Sequence, residues 1–168
     1  QPLWSPKIKQ GWAKGSILGF SDVHTRAHIY RAIIEGICFG LYEGLASIEK
    51  RAGYKIESIM VSGGGSLSDR ICQILADVMG LPVKKTQTYE NSALGCAMLT
   101  YLGMGTFKTP QEAVDHMVHD GKTYTPDMKN HEQYMMLYHT VYERIYRKNS
   151  KTFRNIRAYN RRYPVPKH

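Results

Sequence analysis

The residues with the clearest capacity for chemistry are Gly63, Gly64 and Gly65, followed within four positions by Ser68 and Asp69. Three consecutive glycines carry no Cβ atoms, so they permit positive φ and let a flat or anionic group approach the main chain closely. Ser68 and Asp69 are residue types that begin helices, where unpaired N–H groups and the positive end of the helix dipole meet. Just before the glycines, Ile59-Met60-Val61 is an apolar run typical of a buried strand. Strand, glycine turn and helix start form a backbone suited to receive a ligand. The named phosphate loops do not fit, because no Gly-Lys-Ser/Thr follows the glycines and Ser68 stands where the dinucleotide fingerprint needs its third glycine. By itself such a turn is more often a tight strand-to-helix connection than a binding site.

No second constellation of catalytic type accompanies it. Asp22, Glu35, Asp69, Asp77 and Glu90 are the carboxylates that could be nominated as a base. Glu35 and Asp77 read as helix-surface or capping residues, and Glu90 precedes a helix whose N-terminus it stabilises. No catalytic residue is expected in this chain. Cys38, Cys72 and Cys96 are odd in number and widely spaced, which suggests small buried thiols rather than a disulfide framework or a Cys-x-x-Cys site. His24 and His28, and likewise His116 and His119, lack a third ligand close in sequence, so no metal site is expected.

The elements that must position the glycine turn follow from periodicity. Ser16-Ile-Leu-Gly-Phe20 reads as a strand after a Pro-, Gly- and Lys-rich lead-in. Ile29, Ile33, Ile37, Leu41, Leu45 and Ile48 predict a long helix from about 25 to 52, ended by Gly53. A second stripe of Ala32, Gly36, Gly40 and Gly44 on that helix needs a closely packed neighbour, since glycine costs about 1 kcal/mol relative to alanine in a helix interior. After the Ile59 strand, Ile71, Ile74, Leu75 and Val78 predict a helix over 68–79 with Gly80 as its cap, then an edge strand over 81–86 and a small-residue helix over 92–102. Thr109-Pro-Gln-Glu112 is a capping box with proline at the first helical position, predicting a helix to about His119. Residues 121–129 read as a loop, and the final helix over 130–147 should turn Tyr134, Leu137, Tyr138, Val141 and Ile145 inward. This alternation of helices and strands indicates an α/β layer.

With 168 residues and 42 % hydrophobic content the chain can bury one proper core. No apolar run approaches the roughly 20 residues that cross a bilayer, and Gln1 to Lys7 contain no signal-peptide core, so a cytoplasmic location and no membrane partner are expected. Beginning with Gln1 rather than Met, the chain is expected to be a piece of a longer polypeptide. The net charge of +9 lies at one end, where residues 144–168 hold nine Lys+Arg and no carboxylate. A domain over 1–146 and a basic tail over 147–168 follow. Arg147, Lys151, Arg154, Arg157 and Arg161 recur every three or four residues, which fits a solvated helix face. The tail's interleaved aromatics also raise a rival reading, a nucleic-acid or other interaction module, but no recognition motif supports nucleic acid as a partner.

Several ordered motifs together resemble the C-terminal part of the FGGY carbohydrate kinases. Gly15-Ser-Ile-Leu-Gly-Phe20 followed by His28-Ile-Tyr-Arg-Ala-Ile-Ile-Glu35 is similar to that family's second signature, with Phe20 a departure where a smaller aliphatic is usual. Val61-Ser-Gly-Gly-Gly-Ser66 with Gln73-Ile-Leu-Ala-Asp-Val-Met-Gly-Leu-Pro-Val83 is similar to its adenosine-binding turn and helix. Glu90-Asn-Ser-Ala-Leu-Gly-Cys-Ala97 is similar to its Glu-x-x-Ala-Leu-Gly-Ala-Ala helix start. The resemblance covers about residues 1–107. It implies an actin-like, ribonuclease-H-like α/β fold, with this chain supplying most of the second of two domains that close on ATP and a sugar or polyol. It places Gly64 and Gly65 against adenine and ribose, with Gly63 counted in the same cofactor-binding turn, and Ser68 or Asp69 within hydrogen-bonding reach of the nucleotide. It further implies that the sugar pocket, the catalytic aspartate, the phosphate loops and most of the Mg²⁺ site belong to segments preceding residue 1, so the isolated chain should be inactive as an ATP-dependent carbohydrate kinase. Which sugar is used is not legible, and a homo-oligomer is compatible with the small-residue stripe.

Overall fold

A computed structural model of the chain describes residues 16–164. The expected lead-in over 1–15 and the end of the basic tail over 165–168 lie outside the described residues. The chain divides into two compact units, Gln1–Tyr54 with Glu132–His168, and Lys55–His131.

The first unit is helical. Helix α1, Arg26–Ala52, starts at Thr25, whose backbone N–H donates to His28 Nδ1 at 3.1 Å. It stops at Gly53, which adopts φ 76° and returns its N–H to the Glu49 carbonyl. At the other end of the chain a helical run comprises α5 (Met128–Leu137), a π-helical turn (Tyr138–Tyr142) and α6 (Glu143–Arg162). The core of this unit forms around Phe39. Its ring centroid lies 6.1, 5.7 and 5.2 Å from those of Tyr134, Tyr138 and Tyr142. A Cβ on Gly40 would make only ordinary van der Waals contact with the Tyr142 hydroxyl, at 3.7 Å, and one on Gly36 would meet nothing within 4 Å, so the small-residue stripe has no tightly packed neighbour at these two positions. Burial pushes the Tyr138 hydroxyl above the usual phenol range, and the negative charge of buried Glu43 adds to the shift.

Three expectations for this unit need correction. Residues 16–20 form no strand, and Ile17, Leu18 and Phe20 are exposed, with Gly19 at φ 76° interrupting any extended run. On α1 the isoleucine stripe is not the core-facing side, since Ile33, Ile37, Leu41 and Ile48 are exposed while Cys38, Phe39 and Glu43 are buried. Leu137 and Val141 are also exposed, because the π turn widens the helix there and the buried positions follow a strict four-residue step through Tyr134 and Tyr138. From position 147 onward the chain continues as α6 to Arg162 without a break.

The second unit is a three-stranded sheet with helices. Strand β1 (Ile59–Val61) pairs in parallel with β2 (Val83–Thr86), and β2 pairs antiparallel with β3 (Asp120–Tyr124). The connection from β1 to β2 contains a 3₁₀ turn over Gly64–Leu67 and helix α2, Asp69–Met79. Cys72, Leu75, Ala76, Val78, Met79, Val83 and Tyr124 are buried and make its core. Helix α2 ends at Gly80 with φ 66°. The ring of His131 occupies the place where a Cβ on Gly80 would stand, at 2.7 to 2.9 Å. Helices α3 (Asn91–Gly103) and α4 (Pro110–Met117) follow, the latter capped by Thr109 Oγ1, which accepts from the Glu112 N–H at 3.1 Å.

Two corrections concern this sheet. Residues 121–124, read as part of a loop, belong with Asp120 to strand β3, and β2 is therefore the central strand rather than an edge. The segment Asp-Gly-Lys-Thr-Tyr lacks apolar alternation because only Tyr124 faces a core. Gly121 is required there, since a Cβ would lie 2.9 Å from the Thr86 carbonyl oxygen where the β2–β3 register shifts. Cys96 is exposed, not buried, and α3 as a whole buries no residue despite its apolar composition.

Candidate functional site

The glycine turn sits where β1 ends and α2 begins, and it is more ordered than a flexible loop. Gly63 has φ 81° and ψ −179°, a combination open to glycine alone. Its carbonyl accepts from Ser66 N–H at 3.0 Å and Ser66 Oγ at 2.7 Å, which closes the turn. Its N–H donates to the Tyr89 carbonyl at 3.1 Å, tying the turn to the segment before α3. Gly64 and Gly65 need no positive φ. They lie in the 3₁₀ turn, and a Cβ on either would meet nothing within 4 Å. Bare main chain thus faces open space at these two positions.

Ser68 caps α2, its Oγ accepting from Ile71 N–H at 3.4 Å, a long and weak bond. Asp69, the first helical residue, turns its carboxylate toward three donors. Lys85 Nζ lies 2.9 Å from Oδ1, the Tyr124 hydroxyl 2.7 Å from the same oxygen, and Lys122 Nζ 2.6 Å from Oδ2. Both ammonium groups also stand over the Tyr124 ring, 5.3 and 5.1 Å from its centroid. Hydrogen bonds from Lys122, Lys85 and Tyr124 hold the Asp69 carboxyl far below the usual carboxylate range. Lys85 and Lys122 are raised above the ordinary lysine value, chiefly by the bond to Asp69.

Gly63, Gly64, Gly65, Ser68 and Asp69 are therefore consecutive parts of one turn and helix head. The segment around Glu90 is brought beside it by the Gly63–Tyr89 bond and braced by Thr86 Oγ1, which donates to the Thr88 carbonyl at 2.6 Å and lies 3.0 Å from Asn91 Oδ1. Lys85, Lys122 and Tyr124 were missed from sequence. The first stands on a strand read as an edge, the other two on a segment read as a loop, and no spacing links them to Asp69.

Two of the other nominated carboxylates, Asp77 and Glu35, have structural partners. Asp77 is buried and accepts from Gln73 Nε2 at 2.8 Å, Asp127 N–H at 2.9 Å and Asn130 Nδ2 at 3.0 Å, which pins the start of α5. In the helical unit Glu35 accepts from Arg31 Nε at 2.8 Å and from the Tyr134 hydroxyl at 2.9 Å. Among the described residues no three His, Cys, Asp or Glu side chains are grouped so as to hold a metal ion, and no helix is long and apolar enough to cross a membrane.

A strand, a glycine turn open to one side and a capped helix, set in a mixed α/β layer, are the local architecture of an actin-like α/β domain. The comparisons agree with that class. Residues 3–104 match the C-terminal domain of the FGGY family of carbohydrate kinases. A xylulose kinase of Staphylococcus epidermidis is 36% identical over 138 residues, 82% of this chain and 27% of the relative. Glycerol kinase 1 of Clostridium tetani is 32% identical over 127 residues, 76% of this chain and 24% of the relative. The crystal structure of xylulose kinase from Rhodospirillum rubrum superposes with a TM-score of 0.71 at 28% identity, covering 84% of this chain and 28% of that one. This chain belongs to the FGGY family of carbohydrate kinases and corresponds to its C-terminal domain. It spans about a quarter of the length of these relatives.

Proposed function

We propose that the chain is the nucleotide-binding C-terminal part of an ATP-dependent kinase that transfers a phosphoryl group to a hydroxyl of a sugar or polyol. The observation that carries this reading is the turn itself, where Gly64 and Gly65 present main chain to open space between β1 and a capped helix. Adenine can lie flat on such a surface, because no side chain lifts it away. Gly63, Gly64, Gly65, Ser68 and Asp69 are the residues of this half-site. The names of the relatives point to a xylulose-like sugar or a glycerol-like polyol as acceptor.

ATP supplies the phosphoryl group when bound, while this chain's residues hold the nucleoside end. Phosphoryl transfer needs charge neutralisation on the β- and γ-phosphates, an aligned nucleophile and a base. The sugar pocket, the base and the Mg²⁺ ligands are assigned to a part of the enzyme beyond this chain, which would work in a soluble, cytoplasmic protein. On this reading residues 1–146 are the nucleotide-binding domain and 147–168 a basic extension.

The direct test is an amide NMR titration of the 168-residue chain with ADP, carried into the millimolar range because half a site binds weakly. Shifts concentrated at Ser62–Asp69 and Glu90–Leu94 are expected. A folded spectrum without them would remove the nucleotide reading and favour a non-catalytic interaction domain. A separate assay should find no phosphorylation of xylulose, ribulose or glycerol by the chain alone, and turnover would refute the assignment of the catalytic groups elsewhere.

A further inference from the structure

The environment of Asp69 assigns it a role different from that of a nucleotide ligand. Its two carboxylate oxygens already accept from Lys85, Lys122 and Tyr124 at 2.6 to 2.9 Å. One of these partners ties both ends of the glycine turn. The backbone of Lys85 on β2 stands in register with Val61, the last residue of β1 before the turn. The side chain of the same Lys85 reaches Asp69, the first residue of α2 after the turn. Residues 62–68 are thus closed into a loop whose two ends meet at one lysine. Lys122 and Tyr124, on the neighbouring strand β3, fasten the second end as well.

An isolated exposed ion pair contributes little, because water and salt screen it and the side chains lose freedom. Here three donors converge on one carboxylate, and the two ammonium groups share the face of one aromatic ring, so ordering one member orders the rest. The Ser68 side chain, by contrast, accepts only the long 3.4 Å contact from Ile71 N–H among the described residues, which leaves its hydroxyl able to turn toward a ligand.

We propose that Asp69 is a positioning residue. Clamped by Lys85, Lys122 and Tyr124, it holds the Gly63–Ser68 turn and the head of α2 in the geometry that receives the nucleoside, and Ser68 rather than Asp69 makes the side-chain contact. This inference rests on the nucleotide reading for its ligand but not for its brace.

Two measurements on the whole chain test the two parts separately. Amide hydrogen exchange without nucleotide should quicken at Gly64, Gly65 and Ser66 when the clamp is opened by Lys122→Gln with Tyr124→Phe, and similarly by Asp69→Asn. ADP titration should then show about three- to tenfold weaker binding for the clamp pair, similar weakening for Asp69→Asn, and no further loss on combining them, the non-additivity of groups acting as one unit. If Asp69 touched the nucleotide directly, Asp69→Asn would weaken binding while the clamp pair left it unchanged or tightened it, and the proposal would fall. Unchanged exchange in both variants would overturn it equally. Absence of ADP shifts in the unaltered chain would overturn the nucleotide reading, with the exchange response still deciding the brace.

Discussion

A carboxylate that accepts from two ammonium groups and a phenol holds its charge in more acidic solution than a free one. Asp69 is in that position, so its titration should be displaced downward from the ordinary value near 3.8. The sign follows from linkage. A depressed folded-state value contributes stability above the unfolded value, lost as pH falls through the folded one. The clamp should therefore be intact at pH 4 and fail only in stronger acid, and the side-chain carboxyl carbon of Asp69, followed by NMR, should show its midpoint well below those of exposed aspartates. A midpoint near 4 would mean that the three donors do not act on it in solution. Gly80 makes a second, steric prediction. Gly80→Ala places a side chain at φ 66°, costing about 1–2 kcal/mol in the left-handed region, and also drives its Cβ into the His131 ring. Urea unfolding should report a loss at or above that figure, reduced when His131 is also replaced by Ala.

The run from α5 through the π turn to α6 buries Tyr134 and Tyr138 and brings Tyr142 against Phe39. A wider turn carries one extra residue past each repeat, so three tyrosines four apart stay on one side where an ordinary α-helix would drift. Phe39 is the common contact of all three. Phe39→Ala should cost about 3–5 kcal/mol, as for other buried aromatic truncations, with the loss read from chemical denaturation followed by tyrosine signals. A loss below about 1 kcal/mol would show that the helices of this unit are held by something other than this cluster. Strand β3 teaches the complementary lesson. Its residues have little strand character, yet pairing with β2 makes them a strand and brings Lys122 and Tyr124 to Asp69.

Across the chain as a whole, apolar surface and charge are both unevenly placed. Ile33, Ile37, Leu41 and Ile48 of α1 and Leu99 of α3 are exposed, in a chain spanning about a quarter of the length of its relatives. Positive charge gathers on α6, whose basic residues continue to Arg162 opposed by Glu143 alone within the helix. A cationic helix of this kind retains polyanions by counterion release, an effect that collapses with salt. Any oligonucleotide retention by the chain should therefore disappear between about 50 and 200 mM salt and on removal of residues 147–168. Retention that persisted with sequence preference would support the nucleic-acid reading over a solvated helix face.

What is legible in the residues alone is what nearby residues decide among themselves. Gly53 and Gly80 end their helices, Thr109 with Pro110 begins another, and the Ile59–Asp69 segment is strand, turn and helix, because each outcome depends on dihedral preference and hydrogen bonds within one turn. The ordered motifs likewise carried the family, since they lie in one chain order. The partners of Asp69 could not be read this way. They stand 16, 53 and 55 residues away, and they meet it only because β2 and β3 pair beneath the head of α2. The burial of Phe39 rather than the isoleucine stripe was hidden for the same reason, since periodicity marks which residues share a helix face but not which face finds a neighbour.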